Sequence, residues 1–404
     1  MALLLALSVI LAGCGKESPS SAPALLPDES LTTQENSTQG LTEELTEEPI
    51  QDLSERTFPA SPEYVKLTGR TGENNGIRWL IHSASKAEFK FKGTKASIVI
   101  RSDASINEDI TSHARFAVYV NGVRTLDHIV TKMEETLEIF SSENTEDVRI
   151  SIVKLSEASS SVFGIKSISV TASGDIEPLA EKKTKIEFIG DSITCGYGID
   201  DLNTEHRFST SSEDATKTYA YKTAAAFDAD YSILAYSGYG IVSGHSDGVK
   251  RRTSMLVPDT YELLGKNHGS ADSVINLSVK WDFRSFVPDY IVINLGTNDE
   301  SYTKSDPGRR NEFAEAYVDF LKMIRKNNPG AHIIATLGIM GAGLYSCIEE
   351  AVKSYSSETG DSNISTLRFW TQDGSTGFAA AWHPTEATNE IAAKALIEHI
   401  QALR

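Results

Sequence analysis

The stretch KIEFIGDSITCGYGI, residues 185–199, decides the fold. Its first half is almost continuously apolar, and Ile186, Phe188 and Ile189 are β-branched or aromatic. A parallel strand buried on both faces reads this way. Gly190 breaks the run and sets Asp191 and Ser192 at the strand's C-terminal end, where open α/β sheets bind their ligands. Four further strand candidates follow: YSILAYS, YIVINLG, HIIATLG and STLRFW. Between them, NEFAEAYVDFLKMIRKNN places Phe313, Ala316, Tyr317, Phe320, Leu321 and Ile324 on one helical face. TEATNEIAAKALIEHIQAL closes the chain as another helix. Strands alternating with helices predict a doubly wound parallel sheet over residues 182–404.

Upstream the pattern changes. Between 58 and 177, AEFKFKG, ASIVIRS, RFAVYVNG, TLEIFSS, VRISIVK and IKSISVTASG are short alternating runs separated by turn residues. That spacing predicts an all-β sandwich of the jelly-roll kind. Asn121-Gly122 inside YVNGVRTL is the strongest short hairpin signal.

The N-terminus reads MALLLALSVILAGCGK. Its apolar run is too short to span a bilayer but suits a signal-peptide core. Leu11-Ala12-Gly13-Cys14 resembles a bacterial lipobox, which implies cleavage before Cys14 and a lipid on its thiol, although no Lys or Arg precedes the run. Residues 1–14 therefore read as a lipoprotein signal peptide. Residues 15–57, rich in Ser, Thr, Glu and Pro, read as a disordered acidic tether. The expectation is an exported lipoprotein, held on the bacterial cell surface or periplasmic face through its lipid alone. A formal charge of -18 over 404 residues excludes nucleic acid and anionic lipid as partners, since both need a basic face. Cys195 and Cys347, the two remaining cysteines, either pair or stay reduced.

Three of the predicted parallel strands end in polar or glycine-rich text: Gly190-Asp191-Ser192, then YSGYGIVSG with Gly238, then GTNDE with Asn298. His383 follows late, before Pro384. A serine hydroxyl needs a neighbouring base to become a nucleophile, and histidine is the usual one. Attack on an ester carbonyl builds negative charge on oxygen, which preorganised donors must meet. The amides of Ser192 and Gly238 and the side-chain NH₂ of Asn298 are three such donors.

These four blocks, GDSIT, the glycine after the second strand, GTND and a late HP, resemble the SGNH (GDSL-type) hydrolases. With the preceding β-sandwich and WDFRSFVPDYIVINLGTND, the chain is similar to carbohydrate esterase family 2. The resemblance implies a flavodoxin-like SGNH domain and a serine esterase that removes acetyl groups from plant polysaccharide such as xylan or mannan. It also implies Ser192 as nucleophile, His383 as base, Ser192, Gly238 and Asn298 as oxyanion hole, and neither metal nor organic cofactor. Two other readings compete: a lipase- or thioesterase-type SGNH hydrolase, and a carbohydrate-binding lipoprotein with a decayed site.

One departure stands out. Most SGNH hydrolases carry Asp three residues before the histidine, and here Ala380 occupies that position. A Ser-His dyad steadied by a backbone carbonyl is the expected solution, with Asp373 as the alternative acid. Asp191 is expected to cap local amides and Asp299 to anchor a loop. Trp382, Tyr239 and Trp281 are candidate sugar-stacking rings, and the long insertion from His245 to Phe283 is a candidate wall of the cleft.

Overall fold

A computed structural model of the chain describes residues 52–404. The expected signal peptide, Cys14 and most of the expected tether lie outside the described residues. Ten antiparallel strands come first: β1 (Ser54–Phe58), β2 (Lys66–Thr68), β3 (Thr71–Asn74), β4 (Ile77–Leu80), β5 (Lys86–Ser102), β6 (Arg115–Val120), β7 (Val123–Ile129), β8 (Glu134–Lys154), β9 (Phe163–Ala172) and β10 (Glu177–Pro178). Their order is β3-β4-β9-β5-β8-β6-β7, with β1 on β9 and with β2 and β10 on β5.

AEFKFKG and ASIVIRS, expected as two strands, form the single 17-residue β5. TLEIFSS and VRISIVK likewise merge into the 21-residue β8. The register shifts between Gly93 and Lys95, where a Cβ on Gly93 would lie 2.2 Å from the Thr171 carbonyl oxygen. Bulges of this kind bend strands. The all-β module is thereby one continuous sheet, curled around a core that includes Phe89, Ile98, Phe116, Ile150 and Phe163. Asn121 (φ 51°) and Gly122 (φ 86°) form the predicted β6–β7 turn, and both need the left-handed region.

The second sheet holds β11 (Lys185–Gly190), β12 (Asp230–Ala235), β13 (Tyr290–Asn294), β14 (His332–Ile339) and β15 (Ile364–Thr371). All pairs are parallel, and the order β12-β11-β13-β14-β15 is that of the flavodoxin-like fold. The helices are α1 (Ser192–Cys195), α2 (Tyr219–Ala226), α3 (Pro258–Tyr261), α4 (Thr297–Thr303), α5 (Pro307–Asn327), α6 (Tyr345–Thr359) and α7 (Glu386–Leu403). Gly190 sits in register with Ala235 on one side and Asn294 on the other. Three strands therefore end level, and the segments that follow them emerge side by side. Cys195 and Cys347 are both buried free thiols.

The two sheets share a core instead of meeting at a wet interface. Trp79, Ile81, Ala158 and Val162 from the antiparallel part pack in the same cluster as Ile189, Leu234 and Tyr261. Arg70 is wholly buried across this seam. It donates at 2.6 Å to the carbonyl oxygens of Tyr261 and Leu263 and at 3.1 Å to the Glu187 carboxylate on β11. Tyr261, Trp281 and Phe283 place their rings 5.3–5.4 Å from its guanidinium carbon. Removing one member of a buried ion pair costs about 3–5 kcal/mol, because the partner is left charged and dry. Arg70→Met is expected to lose about that much stability in denaturant unfolding, with both sheets melting in one transition. Two separate transitions in the native protein would contradict a shared core.

Candidate active site

Ser192 opens α1 directly after β11, with Asp191 as the N-cap accepting from Ile193 N–H at 3.0 Å. A Cβ on Gly190 would lie 2.0 Å from Thr194 Oγ1, so glycine there lets α1 pack tightly against its own strand. His383 arrives from the segment between β15 and α7. The Ser192 hydroxyl donates to its Nε2 at 2.9 Å, across 191 residues of sequence. On the other side of the ring, Nδ1 faces the Ala380 carbonyl oxygen at 3.2 Å. A carbonyl only accepts, so the proton sits on Nδ1 and the Nε2 lone pair is left for the serine.

Among the described residues, no carboxylate takes that place. Asp373 is exposed and turned into its own loop, accepting from Ser375 N–H at 2.9 Å. The carbonyl is fixed by its surroundings: Ala380 N–H donates to Asp201 O at 2.7 Å, and Ala381 N–H to Thr204 O at 3.1 Å. Ala381 (φ 50°) and Trp382 (φ 63°) both adopt the left-handed region, which costs a non-glycine residue about 1–2 kcal/mol. Tyr197 stacks on the imidazole with ring centroids 4.0 Å apart and planes 20° apart. Nothing in the sequence marked this residue, because its role exists only once α1 and the 380s loop have met.

Gly238 has φ +80° and ends the second block. Tyr239 N–H donates to Tyr236 O at 3.2 Å, closing a turn with Gly238 in third place, where a type II turn needs glycine. Among the described residues, neither the Ser192 nor the Gly238 amide N–H has a protein acceptor. Asn298, at the start of α4, stands beside them, but its NH₂ is not idle. It donates to Tyr239 O at 2.8 Å and to Asp191 at 3.2 Å. The Asp299 carboxylate takes the amides of Ile241, Val242 and Ser243 at 2.7–3.0 Å, anchoring the loop after Gly240 as expected. Burial pushes Asp191 up to about 7 and Asp299 up to about 6.

The aromatic candidates separate. Trp382, beside the histidine, is 54% exposed. Tyr239 is only 2% exposed, its ring packed on Tyr236, and offers no face to a sugar. Trp281 lies in a different groove with Leu67, Ile275 and Phe286, its ring against the Arg70 guanidinium. The Tyr239 reading is corrected: an aromatic side chain near a loop is as useful to the core as to a ligand. Part of the long insertion runs onto the antiparallel sheet, with Asn74 Nδ2 donating to Val274 O at 2.6 Å. Other parts border the site: His245 N–H donates to Gly238 O at 2.8 Å, and a Cβ on Gly238 would lie 2.8 Å from Met255 Cε.

Residues 188–391 match the GDSL-like lipase/acylhydrolase family, and residues 67–179 match the N-terminal module of carbohydrate esterase 2. A solved family two carbohydrate esterase from Clostridium thermocellum, in complex with cellohexaose, aligns at 30% identity and TM-score 0.73, over 84% of this chain and 98% of that one. The chain belongs to carbohydrate esterase family 2. An acetyl xylan esterase from the rumen bacterium Butyrivibrio proteoclasticus superposes on this esterase with TM-score 0.78 at 25% identity, over 87% of this chain and 98% of the other. A cellulase/esterase of Acetivibrio thermocellus is 31% identical over 79% of this esterase, which spans 37% of that longer protein. An acetylxylan esterase / glucomannan deacetylase of Cellvibrio japonicus is 24% identical over 87% of the chain and 92% of its own length.

Burial pushes the His383 pKa down to about 4, against the pull of the Ala380 and Ala381 carbonyls, with His245 adding a little. Only the neutral imidazole accepts the serine proton, so a depressed pKa keeps the base competent in acid. The acid limb of kcat/KM is expected near pH 4–5, about two units below that of a solvated histidine. A pH profile falling at about 6.5 would show that the ring titrates as if in water.

Proposed function

We propose that this esterase removes O-acetyl groups from hemicellulose, acetylated xylan or glucomannan, through an acetyl-enzyme carried by a Ser192–His383 dyad. The carrying observation is the 2.9 Å contact between the serine hydroxyl and an imidazole whose far nitrogen is held by a carbonyl oxygen. Ser192 Oγ attacks the acetyl carbonyl carbon while its proton passes to Nε2. The oxygen that gains charge is met by the Ser192 and Gly238 amides. Asn298 joins them by giving up its 3.2 Å contact to Asp191, the longer of its two bonds. The imidazolium then protonates the departing sugar oxygen. A water, deprotonated in turn by Nε2, hydrolyses the acetyl-enzyme and releases acetate.

The substrate class draws on the relatives named above, two of them acetylxylan esterases by name and one captured with cellohexaose. The exposure of the Trp382 ring beside His383 supports a stacking role on the sugar that carries the ester. Acetate release from acetylated xylan and glucomannan is expected from the wild-type chain and only at background from Ser192→Ala. Trp382→Ala is expected to raise KM for polysaccharide about tenfold, the worth of one aromatic contact, while leaving p-nitrophenyl acetate unaffected. Release undiminished in Ser192→Ala would end the serine mechanism.

The lipobox-like Cys14 supports an anchored location on the cell surface or periplasmic face. Metabolic labelling with palmitate is expected to mark the wild-type protein and not Cys14→Ser. An unlabelled wild-type protein would remove the anchor.

A further inference from the structure

The loop between β8 and β9, residues 155–162, leaves the antiparallel sheet and enters the wall of the active site. Leu155, Ser156, Glu157 and Ala158 are all buried. The loop is strapped from both sides: Ala215 N–H donates to Leu155 O at 3.1 Å, and Asn267 Nδ2 to Ala158 O at 2.8 Å. Glu157 is the residue it delivers. One oxygen of its carboxylate, Oε2, accepts the Ser237 N–H at 2.8 Å and lies 3.8 Å from Cys195 Sγ. Ser237 immediately precedes Gly238 in the oxyanion turn. Cys195 ends α1, one turn beyond Ser192. A single carboxylate oxygen thus touches the two segments whose relative position sets the hole.

The surroundings keep this carboxylate in place. The backbone N–H of Glu157 donates to Glu213 Oε2 at 2.8 Å. The buried Lys154 ammonium donates to the carbonyl oxygens of Ser156 and Glu157 at 2.5 and 2.9 Å. Glu213 Oε1 is buried without a partner, and burial beside Glu157 pushes the Glu213 carboxyl well above the carboxylate range.

We propose that Glu157 is a positioning residue for the oxyanion hole, supplied to the catalytic sheet by the antiparallel module. This rests on the reading of Ser192 and Gly238 given above. The turn from Tyr236 to Tyr239 has three peptides. Glu157 fixes the first through Ser237 N–H, and His245 N–H fixes the third through Gly238 O at 2.8 Å. The middle peptide, which carries the Gly238 N–H, is clamped between them. Peptides in such turns rotate readily when their neighbours are loose, and type I and type II turns differ chiefly by that rotation. An oxyanion donor is useful only if its direction is set before the charge develops.

The test uses the full chain and p-nitrophenyl acetate. Glu157→Ala is expected to lower kcat by about 10²-fold, the scale of losing one oxyanion donor, with KM within about twofold. Affinity for a tetrahedral boronic-acid mimic is expected to fall in parallel. Glu157→Gln keeps an acceptor oxygen and is expected to recover most of the loss. Should Glu157→Ala not fold, Ser237→Pro deletes the same bond from the donor side, at the turn position where proline is favoured, with the same expected fall. Wild-type kcat and boronate affinity in a folded Glu157→Ala or Ser237→Pro variant would overturn the proposal. So would a loss confined to melting temperature or KM. Turnover by Ser192→Ala in the same series would instead overturn the nucleophile reading, and this assignment with it.

Discussion

Arg70 is a charge with no access to water, and a buried charge persists only with partners placed around it. Glu187 on β11 and the carbonyl oxygens of Tyr261 and Leu263 are those partners. They come from the catalytic sheet and its insertion, while Arg70 comes from the antiparallel sheet. The alternatives, an unpaired guanidinium and an unpaired carboxylate in the interior, are costly enough to fix one docking arrangement. Lys66 with Asp230 at 2.5 Å, and Arg115 with Asp200 at 2.7 Å, repeat the device elsewhere along the seam. The antiparallel module is therefore part of the enzyme's core, which is why a loop from it is able to reach the active site in a fixed position.

The site replaces a carboxylate by a peptide carbonyl behind the histidine. A carbonyl orients Nδ1–H and selects the tautomer as well as an acid does. It stabilises the imidazolium less, having only a dipole to offer. Burial depresses the His383 pKa, and the Ala380 and Ala381 carbonyls offset only part of that shift. A lower pKa makes an imidazole a weaker base that keeps its lone pair free to lower pH. Tyr197 supplies orientation through ring contact that a second carboxylate oxygen otherwise provides. The loop that carries Ala380 spends two left-handed residues to aim both the carbonyl and the imidazole, a strain that the bonds to Asp201 and Thr204 hold in place.

Buried carboxylates recur around the hole in supporting roles. Asp191 caps α1, Asp299 gathers three amides of the following loop, and Glu157 grips the turn before Gly238. Each takes backbone N–H groups that would otherwise be unsatisfied once water is excluded. Loops built this way hold their shape without regular secondary structure.

The sequence determined the two kinds of sheet, the five parallel strands and the four site blocks, because these depend on local rules. Buried parallel strands must be apolar, strand-end turns need glycine, and the nucleophile and base must be Ser and His. Asn121-Gly122 named its own hairpin for the same reason. Tertiary structure alone decided what no local rule contains. It joined paired segments into the long bent β5 and β8, and it put Tyr239 into packing and Trp281 into a separate groove while leaving Trp382 exposed. It gave the Nδ1 proton to a carbonyl oxygen instead of Asp373. Glu157 and Tyr197 carry no sequence signal because their partners lie 80 and 186 positions away along the chain. Only the docking of two sheets across a dry seam brings such distances down to a hydrogen bond.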